Sequence, residues 1–600
     1  MTSLSLNDCG DNLPRCIGLL QIDATVGDLE GNSTRLLRLA ELAKSYGADM
    51  AVSTELAICG YPPRDLLLQP DFINLSFSKA KSLDVPLPML VGSPVPSKDA
   101  RNLPANGVVR SGIMDGQPNG NNTNRIVAKK QLLPSYDVFD EARYFQASNR
   151  SGLCRSIGNM DLGVTICEDA WQASGMTPSE YSQDPIESLA EWGRQGVNLD
   201  ATVNLSASPY HSDKVSSRIE VCRKAAQILQ HPFLLANQVG GNDDLLFDGC
   251  SLVAWPNGEV VVAPSWQEGV LIVDLDEAKN CRWVALTEED ALLIGNDKLK
   301  FLSSDMDGHE EIDDLIEDIT DAVITGLADY CRKSGIKSIV LGLSGGIDSA
   351  VAACVAAAAV GAENVLGIAM PSRFSSRHSL DDAKHTAQAL GIDFKVESID
   401  GLHGELEQQI STILQNGNPV ASENIQSRLR GIIVMAHANA ENRMAIATGN
   451  KSELAQGYCT LYGDMAGGYT PLGDLYKMQV YAVAEVFNRR AKAKDAEEPV
   501  NESTMNKPPS AELAPNQLDE DSLPPYQTLD EILRLHIEQT MDADDIAELG
   551  FSRDIVLEVL SRLERNEHKR WQMSPAPRVT GKAFGQGWRR PLASRHDWRD

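Results

Sequence analysis

The sequence predicts an α/β protein with two α/β units, and three observations lead to this prediction. Short apolar runs with strand character alternate with helical stretches over the first 275 residues. A second series of the same kind begins after an acidic, irregular stretch that ends near Asp313. The length of 600 residues is too great for a single hydrophobic core.

The first unit is placed at residues 14–275. Its predicted strands are the apolar runs CIGLLQI, ADMAVSTE, DLGVTIC, DATVNLS and FLLANQV. The stretch RLLRLAELAKSYG, between the first two runs, has the spacing of an amphipathic helix. We place a linker at 276–313, where the sequence LSSDMDGHEEIDD is acidic and irregular.

The second unit is placed at residues 314–600. It opens with the predicted helix LIEDITDAVITGLADYCRKSG, the strand SIVLGL and the helix SAVAACVAAAAVG. Two polar segments are not predicted to contribute to a hydrophobic core. Residues 112–124 form a hairpin or loop, and residues 494–526 are a functional loop, a domain-contact arm or a disordered stretch. The first part of the latter, 494–509, is a candidate lid.

Composition excludes several classes of function. A net charge of −30 argues against a general nucleic-acid or anionic-membrane surface. The longest apolar run, Ala350 to Val360, has 11 residues and is too short to span a bilayer. No export signal is visible at the N-terminus. The 11 cysteines include no C-x-x-C pair, which argues against a zinc ribbon and against a redox dithiol. Their odd number, in a long chain without a visible export signal, fits a reducing cytoplasm.

The run GLSGGIDS, residues 342–349, joins a predicted strand to a predicted helix. Adjacent glycines let backbone N–H groups approach a ligand, and the helix adds the positive end of its dipole, so the loop is suited to phosphate. It is not a Walker A loop, because the Gly-Lys-Ser/Thr ending is absent. Asp348 beside phosphates implies a cation such as Mg²⁺ between them. Ser344 and Ser349 can donate hydrogen bonds to phosphate oxygens.

Upstream, Cys167 ends a strand-like run and is followed at once by two acidic residues. That setting favours a strand end over a deep core, whereas most of the other cysteines are read as core packing. A nucleophilic thiol needs a base and a cation that stabilises the tetrahedral anion. Glu55, after another strand, is the candidate base. Lys129 and Lys130 are both candidates for the cation.

The second unit resembles the NAD synthetases, a family of adenylating ligases that carry a pyrophosphatase-type (PP) loop. The matching strings are VLGLSGGIDSAV, MPSRFSSRHSLDDA, ENIQSRLRG, ATGNKSELAQGYCTLYGDMAGGYTPLGDLYK and NEHKRWQMSPAPRVTGKAFG. The resemblance implies a Rossmann-like, doubly wound parallel sheet. It implies ATP binding by Gly342, Leu343, Ser344, Gly345, Gly346, Ile347, Asp348, Ser349 and Thr448. It implies deamido-NAD binding by Asn424, Glu453 and Lys569, and Mg²⁺ binding by Asp348 and Glu453.

Positive charge for two polyphosphate ligands is expected locally, because the chain as a whole is acidic. The candidates in the matching strings are Arg373, Arg377, Arg428, Arg430, Lys451 and Lys569.

The first unit resembles the nitrilase (carbon–nitrogen hydrolase) superfamily, in the form fused to glutamine-dependent NAD synthetases. The matching strings are TELAICGYPPRDLL, KKQLLPSYDVFDEARYF, GVTICEDAW, NLSASPYH and NQVGGNDDLLFDG. The resemblance implies an αββα sandwich with Glu55 as general base, Lys130 as cation and Cys167 as nucleophile. The register with LLP favours Lys130 over Lys129. Implied glutamine contacts are Tyr136, Ser208 and Lys214, and Glu141 is expected to support Lys130.

Together the two resemblances imply an ATP-dependent amidation of deamido-NAD⁺ to NAD⁺ through an adenylate, with ammonia supplied by glutamine hydrolysis. The expected small-molecule partners are L-glutamine, deamido-NAD⁺ and ATP, with Mg²⁺ as cofactor. No nucleic acid or membrane is expected as a partner. The chain is expected to form a homo-oligomer. One alternative is a glutamine-fed adenylating ligase that acts on another acid. A non-catalytic scaffold is a second alternative, but it predicts loss of the catalytic residues, which are present.

Overall fold

The computed structural model describes residues 15–97, 103–112, 125–178, 180–286, 299–303, 312–418, 420–515 and 517–596. The chain divides into two compact units. The first comprises Met1–Ser208, Lys214–Val239 and Phe247–His309, and the second comprises Pro209–Asp213, Gly240–Leu246 and Glu310–Asp600. The predicted hairpin or loop at 112–124 lies outside the described residues except for Gly112.

Two seven-stranded sheets form the first unit, in the orders β15-β14-β1-β2-β3-β4-β5 and β16-β13-β12-β9-β8-β7-β6. The strands of the first sheet are β1 Cys16–Gln21, β2 Met50–Val52, β3 Met89–Val95, β4 Ala105–Ser111, β5 Ile126–Lys129, β14 Gly269–Asp274 and β15 Arg282–Ala285. The strands of the second are β6 Gly152–Ile157, β7 Met160–Ile166, β8 Ala201–Ser206, β9 Phe233–Asn237, β12 Leu252–Ala254, β13 Val260–Val262 and β16 Lys300–Leu302. All five predicted strands are present.

The first unit has four layers. Buried residues of both sheets, such as Leu19, Val164 and Leu205, form one core between the sheets. The helices α1 Leu29–Ser45 and α2 Pro70–Ser82 cover the outer face of the first sheet. The helices α4 Pro185–Arg194 and α5 Lys214–Leu229 cover the outer face of the second, and α3 Glu141–Tyr144 is a single turn. This arrangement confirms the expected αββα sandwich.

The predicted linker at 276–313 needs a correction. Arg282–Ala285 pairs with β14, and Lys300–Leu302 pairs with β13, so both stretches are edge strands of the first unit. The physical reason lies in their apolar content: Trp283 packs against the core between the sheets and Leu302 against the core under α5. Acidic composition nearby obscured these short strands. Residues 287–298 and 304–311 are outside the described part of the chain.

A four-stranded parallel sheet lies at the centre of the second unit, in the order β19-β18-β17-β20. Its strands are β17 Ile339–Gly342, β18 Val365–Ala369, β19 Asp393–Val396 and β20 Met444–Ala445. The helices are α6 Ile312–Lys333, α7 Ile347–Val360, α8 Arg377–Leu390, α9 Asp400–Gln409, α10 Ser411–Asn416, α11 Val420–Glu441, α12 Lys451–Gln456, α13 Lys477–Lys492, α14 Glu502–Asn506, α15 Tyr526–Ile537, α16 Ala543–Glu548, α17 Arg553–Arg565 and α18 Glu567–Arg570.

Helices cover both faces of this parallel sheet. Val340, Leu366 and Ile368 pack against Leu429 and Val434 of α11. The neighbouring strand residues are also fully buried and point to the opposite face, where α7 contacts β17 and β18. The doubly wound α/β class is therefore confirmed. Within the described ranges, no helix has the length and apolar content needed to cross a membrane.

The hairpin of β10 Val239–Asn242 and β11 Leu245–Asp248 comes from the first half of the chain, yet its tip belongs to the second unit. The Gly241 N–H donates to Asp329 Oδ2 at 2.6 Å, and Lys333 Nζ donates to the Gly241 carbonyl at 2.7 Å. Asp329 and Lys333 lie on α6. The second unit is therefore assembled from three separate stretches of sequence.

The segment at 494–526 is an arm along α8 in the part that the structure describes. Thr386 Oγ1 donates to the Pro499 carbonyl at 2.9 Å, and Asn501 Nδ2 donates to Asp382 Oδ1 at 2.9 Å. Further along, Lys507 donates to the Ser379 hydroxyl. The arm thus follows α8 back toward the helix N-terminus, and its residues 507–513 line the cavity described below.

Candidate active sites

The first candidate site lies at the carboxyl ends of three strands of the first unit. Glu55 follows β2, Lys130 comes directly after β5, and Cys167 comes directly after β7. Glu55 and Lys130 are 0% exposed and Cys167 is 5% exposed. The structure therefore brings together three residues that are far apart in sequence. Lys129, the other candidate for the cation, is only partly buried.

Lys130 is the centre of a buried ion cluster. Its Nζ lies 2.8 Å from Glu55 Oε1 and 2.8 Å from Glu141 Oε1. The Tyr61 hydroxyl donates to the same Glu141 oxygen at 2.9 Å. Glu141 is thus in the position expected of a residue that supports Lys130.

Glu55 is held through both carboxylate oxygens. Asn106 Nδ2 donates to Oε1 at 2.6 Å, and the Ala207 N–H donates to Oε2 at 3.1 Å. A carboxylate fixed in this way has little rotational freedom, which suits a group that must meet a proton at one point.

The protonation states in this site follow from burial and charge. Burial raises the pKa of the Cys167 thiol, Glu55 raises it further, and Lys130 opposes the shift. Burial lowers the pKa of Lys130, but Glu141 and Glu55 outweigh that effect and raise it overall. Burial raises the pKa of Glu141 to about 7 against the opposing effect of Lys130. Since these shifts favour a neutral thiol beside an ammonium, the thiol needs a base to become a nucleophile.

Glu168, another buried carboxylate, directly follows Cys167 in the sequence. Glu168 is 3% exposed and accepts hydrogen bonds from the hydroxyls of Tyr136, at 3.0 Å, and Tyr181, at 3.1 Å. The Lys214 ammonium lies 4.1 Å from the centre of the Trp171 ring. Ser208 is buried, and its N–H donates to Asn237 Oδ1 at 2.9 Å. Carboxylate, ammonium and hydroxyl groups of this kind can bind the two charged ends of an amino acid.

The second candidate site is formed by the loop at 342–349 in the second unit. Helix α7 begins at Ile347, so the preceding residues lie at its N-terminus. The Ser344 N–H donates to Ser349 Oγ at 3.1 Å, and the Gly346 N–H donates to Ser344 Oγ at 3.2 Å. These bonds fold the loop into a tight turn at the positive end of the helix, as an anion site requires.

Asp348 and Glu453 converge on one cation. Lys477 Nζ lies 2.5 Å from Asp348 Oδ2 and 3.6 Å from Glu453 Oε1. Burial and the charge of Asp348 raise the pKa of Glu453 to about 8, although Lys477 opposes this shift. Two carboxylates that face a shared positive charge are a donor set that fits Mg²⁺, which takes its other ligands from water and phosphate. Among the described residues, no group of three or more His, Cys, Asp or Glu side chains is arranged so that it could hold a metal ion.

A cavity of about 310 Å³ opens beside the loop. Among the described residues that line it are Thr448, Glu453 and every loop residue from 342 to 349 except Gly345. Asn424 and Lys569 are not in that lining. They contact residues at its edge: Asn424 Oδ1 accepts from Thr460 Oγ1 at 2.8 Å, and Lys569 Nζ donates at 2.8 Å to the carbonyl of Cys459, which is in the lining.

Of the six expected phosphate cations, only Arg430 is in the described lining of this cavity, and the expectation for Lys451 needs a correction. Its side chain is fully buried, with Nζ 2.9 Å from Asp474 Oδ1 and donating to Thr580 Oγ1 at 2.6 Å. Asn450, which caps α12, turns the next side chain inward, so Lys451 ties the C-terminal tail to the helix. The cations that line the cavity in the described chain are Arg430, Lys477 and Lys507.

Lys477, Glu168 and Tyr181 are site residues that the sequence interpretation missed. Lys477 stood within a matching string, but its pairing with Asp348 depends on α13 packing near the loop. Glu168 was noted only as an acidic neighbour of Cys167. Tyr181 lies in an irregular segment that carries no motif.

Comparisons with known proteins divide the chain in the same way as the two candidate sites. A carbon–nitrogen hydrolase family model matches residues 16–282, and an NAD synthase family model matches residues 319–573.

Two curated relatives are both described as glutamine-dependent NAD(+) synthetases. The protein of Synechocystis sp. is 38% identical over 584 residues, which cover 96% of this chain and 98% of the relative. The protein of Thermotoga maritima is 38% identical over 599 residues, with 96% and 98% covered.

Two solved structures match nearly the whole chain. The glutamine-dependent NAD⁺ synthetase of Acinetobacter baumannii, in complex with ADP, has a TM-score of 0.68 at 30% identity and covers 97% of this chain and 98% of its own. The synthetase of Cytophaga hutchinsonii has a TM-score of 0.72 at 20% identity over the same shares, a likeness of fold.

Proposed function

The chain belongs to the glutamine-dependent NAD(+) synthetases, and from this we propose how its residues divide the work. The enzyme is a carbon–nitrogen ligase that uses glutamine as nitrogen donor and ATP as co-substrate to convert deamido-NAD⁺ to NAD⁺. Residues 14–275, with the edge strands that follow, hydrolyse glutamine. Residues 314–600 carry out the amidation.

Glutamine hydrolysis takes place at Cys167. Glu55 accepts the thiol proton while sulfur attacks the side-chain amide carbon, and the Lys130 ammonium stabilises the resulting oxyanion. Collapse of the tetrahedral intermediate breaks the C–N bond, and Glu55 returns the proton to the departing ammonia. Glu55 then takes a proton from water as the water attacks the thioester, which releases glutamate and the free thiol. Glu141 keeps Lys130 in position.

Substrate recognition in this site uses charge at both ends of glutamine. Glu168, with its two tyrosine partners Tyr136 and Tyr181, binds the α-ammonium group. Lys214 and Ser208 bind the α-carboxylate, since they offer a cation and a hydroxyl donor.

Amidation takes place at the loop of residues 342–349. Loop N–H groups and the N-terminus of α7 hold the ATP phosphates, and Thr448 contacts the adenosine. Asp348 and Glu453 would hold Mg²⁺, which would offset charge on the phosphates. The deamido-NAD⁺ carboxylate attacks the α-phosphorus, pyrophosphate leaves, and ammonia then displaces AMP from the adenylate. Asn424, Glu453 and Lys569 bind deamido-NAD⁺. Asn424 and Lys569 also hold the loop 457–460 in place.

The observation that carries this proposal is the buried grouping of Cys167 with the Lys130 ammonium between two carboxylates. Core packing has no need of a buried cation and two buried anions, because their desolvation is costly. Acyl transfer from an amide does need such a set.

The test is the Cys167→Ala variant. Glutamine-dependent NAD⁺ formation should fall on the order of 10³-fold or more, because the nucleophile is lost. Ammonium-dependent NAD⁺ formation should stay within about twofold of wild type, because the second site is untouched. NAD⁺ is measured with ATP, deamido-NAD⁺ and either nitrogen source.

Cys222→Ala is the matched control, because Cys222 is also a fully buried cysteine of the first unit. It should leave both activities in place. Equal loss of both activities in Cys167→Ala would contradict the division of labour. Consumption of a different acid, with no NAD⁺ formed by wild type, would indicate another adenylating ligase.

The assembly and the compartment follow from surface and thiol chemistry. We infer a homo-oligomer, since α11 exposes Ile432 by 63% and Met435 by 38% on adjacent turns. A cytoplasmic location is supported by the ten described cysteines, among which no disulfide is formed. The net charge of −30 disfavours nucleic acid and anionic membrane as partners.

A further inference from the structure

Asp169 is a buried carboxylate beside the first site that the proposed mechanism does not use. It lies two residues after Cys167 and is 1% exposed. Its Oδ1 accepts hydrogen bonds from the N–H groups of Gln131 and Leu132, both at 2.9 Å. Its Oδ2 accepts from the Ile166 N–H at 3.1 Å.

These three donors belong to two different parts of the site. Gln131 and Leu132 directly follow Lys130, whereas Ile166 directly precedes Cys167. One side chain therefore connects the backbone that carries the cation to the backbone that carries the nucleophile. The rest of the Lys130 backbone is held from another side, by the Asn106 carbonyl at 2.8 Å and the Ser148 N–H at 2.9 Å.

The Cys167 backbone needs such support. Its φ of 45° is in the left-handed region, which costs a non-glycine residue about 1 kcal/mol or more. The Cys167 carbonyl accepts from Asn204 Nδ2 at 3.3 Å, while Asp169 holds the N–H of the preceding residue. The strained turn is thus restrained on both sides of the nucleophile.

A carboxylate suits this position better than any neutral side chain. It offers two oxygens and no donor, so it can accept three N–H groups that arrive from two directions. An asparagine of the same shape would direct its NH₂ group at one or two backbone N–H groups. Burial of the charge raises the pKa of Asp169 to about 7, and the three backbone donors together with Lys130 counter that effect.

We propose that Asp169 is a positioning residue that sets the distance between the Lys130 ammonium and the Cys167 thiol. This inference rests on the proposed role of Cys167 as nucleophile. Asp169 acts through the backbone and touches neither glutamine nor the reacting atoms. While Asp169 holds both backbone segments, the Lys130 ammonium lies where it stabilises the Cys167 thiolate and the oxyanion. Without these hydrogen bonds the segment after Lys130 and the segment before Cys167 move independently.

The test compares Asp169→Asn with Asp274→Asn. Asp274 is a matched control, because it is 5% exposed, belongs to the same unit and also accepts two backbone N–H groups, from Asp276 at 2.9 Å and Glu277 at 3.1 Å. The kcat for glutamine hydrolysis should fall about 10- to 100-fold in Asp169→Asn, with KM for glutamine within about twofold. Ammonium-dependent NAD⁺ synthesis should stay at the wild-type rate in both variants.

A second readout separates positioning from stability. The rate of Cys167 alkylation by iodoacetamide is measured against pH, with Cys167→Ala as the blank. The groups that face the thiol are Glu55, Lys130 and Glu141, with the phenols of Tyr61 and Tyr136 nearby. Loss of the Lys130 position should move the midpoint up by about half a pH unit or more in Asp169→Asn. It should not move in Asp274→Asn.

The outcomes are distinct. Asp169→Asn could instead reduce only the fraction of active molecules, with the midpoint of Cys167 alkylation and the kcat per active site as in wild type. That result would overturn the inference and leave Asp169 a structural role. If Asp169→Asn does not fold, Asp169→Glu keeps the charge but displaces its oxygens, and an unmoved midpoint there overturns the inference as well. Failure of wild type to hydrolyse glutamine in a Cys167-dependent way would overturn the proposed function and this inference together.

Discussion

Gly345, in the loop of residues 342–349, has a positive φ and lies close to another backbone segment. Its φ is +83°, and a Cβ on this residue would overlap the carbonyl oxygen of Ser379 at the start of α8. We expect Gly345→Ala to lower NAD⁺ synthesis by at least about 100-fold with either nitrogen source, because the loop must move away from α8. The measurement is the rate with saturating ammonium as ATP is varied.

Gly335→Ala is the control for Gly345→Ala. Gly335 also has a positive φ, +72°, but a Cβ there would meet nothing within 4 Å. This control carries the conformational cost of the left-handed region without the overlap. Wild-type kinetics in Gly345→Ala, or equal losses in the two variants, would mean that the contact with Ser379 does not shape the site.

At the residue scale, the sequence predicted positions better than partners. Glu55, Lys130 and Cys167 stand at strand ends within recognisable strings, and the structure brings them together. Their catalytic roles remain predictions. The contact of Lys451 with Thr580 could not be predicted, because it depends on how the C-terminal tail returns to α12. The roles of Glu168 and Asp169 could not be predicted for a similar reason, since their hydrogen-bond partners lie on other segments.

At the scale of elements, α11 and the segment after β19 meet in a titratable cluster. His437 Nε2 lies 2.7 Å from Glu397 Oε1, and its Nδ1 lies 2.7 Å from Glu441 Oε1. The hydrogen bonds with Glu441 and Glu397 raise the pKa of His437, against the opposing effects of partial burial and of Lys395. Lys395 and Arg443 also bind Glu441, and the pKa of Glu441 is lowered to about 2.

The sign of the pH effect follows from the raised pKa of His437. The charged imidazolium favours the folded state, so its contribution is complete below the pKa of the unfolded chain and is lost as pH rises through the folded value. From pH 5.5 to 8.5, wild type should lose about 1–2 °C more in unfolding temperature than His437→Gln does. Thermal unfolding of both proteins across this range checks it. Parallel curves would show that the cluster does not contribute.

Element types were more predictable than element boundaries and contacts. The buried strands read directly as apolar runs, and α6 and α7 began and ended near their predicted limits. The edge strands β15 and β16 were hidden in a stretch read as linker, because short edge strands carry weak apolar signals. The arm on α8 has almost no periodic pattern, and its polar contacts to α8 are tertiary.

For the whole molecule, the apolar residues on α11 predict self-association. The double variant Ile432→Glu, Met435→Glu should have a lower particle mass than wild type, because a carboxylate in an apolar interface has no partner. Light scattering coupled to size-exclusion chromatography measures the mass. Leu75→Glu is the control, since Leu75 is 61% exposed on the first unit.

An unchanged mass in the Ile432→Glu, Met435→Glu variant would place any subunit interface elsewhere. A monomeric wild type would contradict the homo-oligomer itself. The Leu75→Glu protein should keep the wild-type mass, which separates an effect of this face from a general effect of added charge.

The hairpin tip at Gly240–Leu246 has a consequence for how the two activities can be separated. Because Asp329 and Lys333 bind the backbone of Gly241, a gene fragment that begins at the linker encodes a synthetase without all of its own parts. The second unit therefore draws residues from both halves of the sequence. Recombination at the linker would exchange most of the second unit but would leave Gly240–Leu246 with the first half of the gene. A cut at the linker therefore does not separate the two units completely.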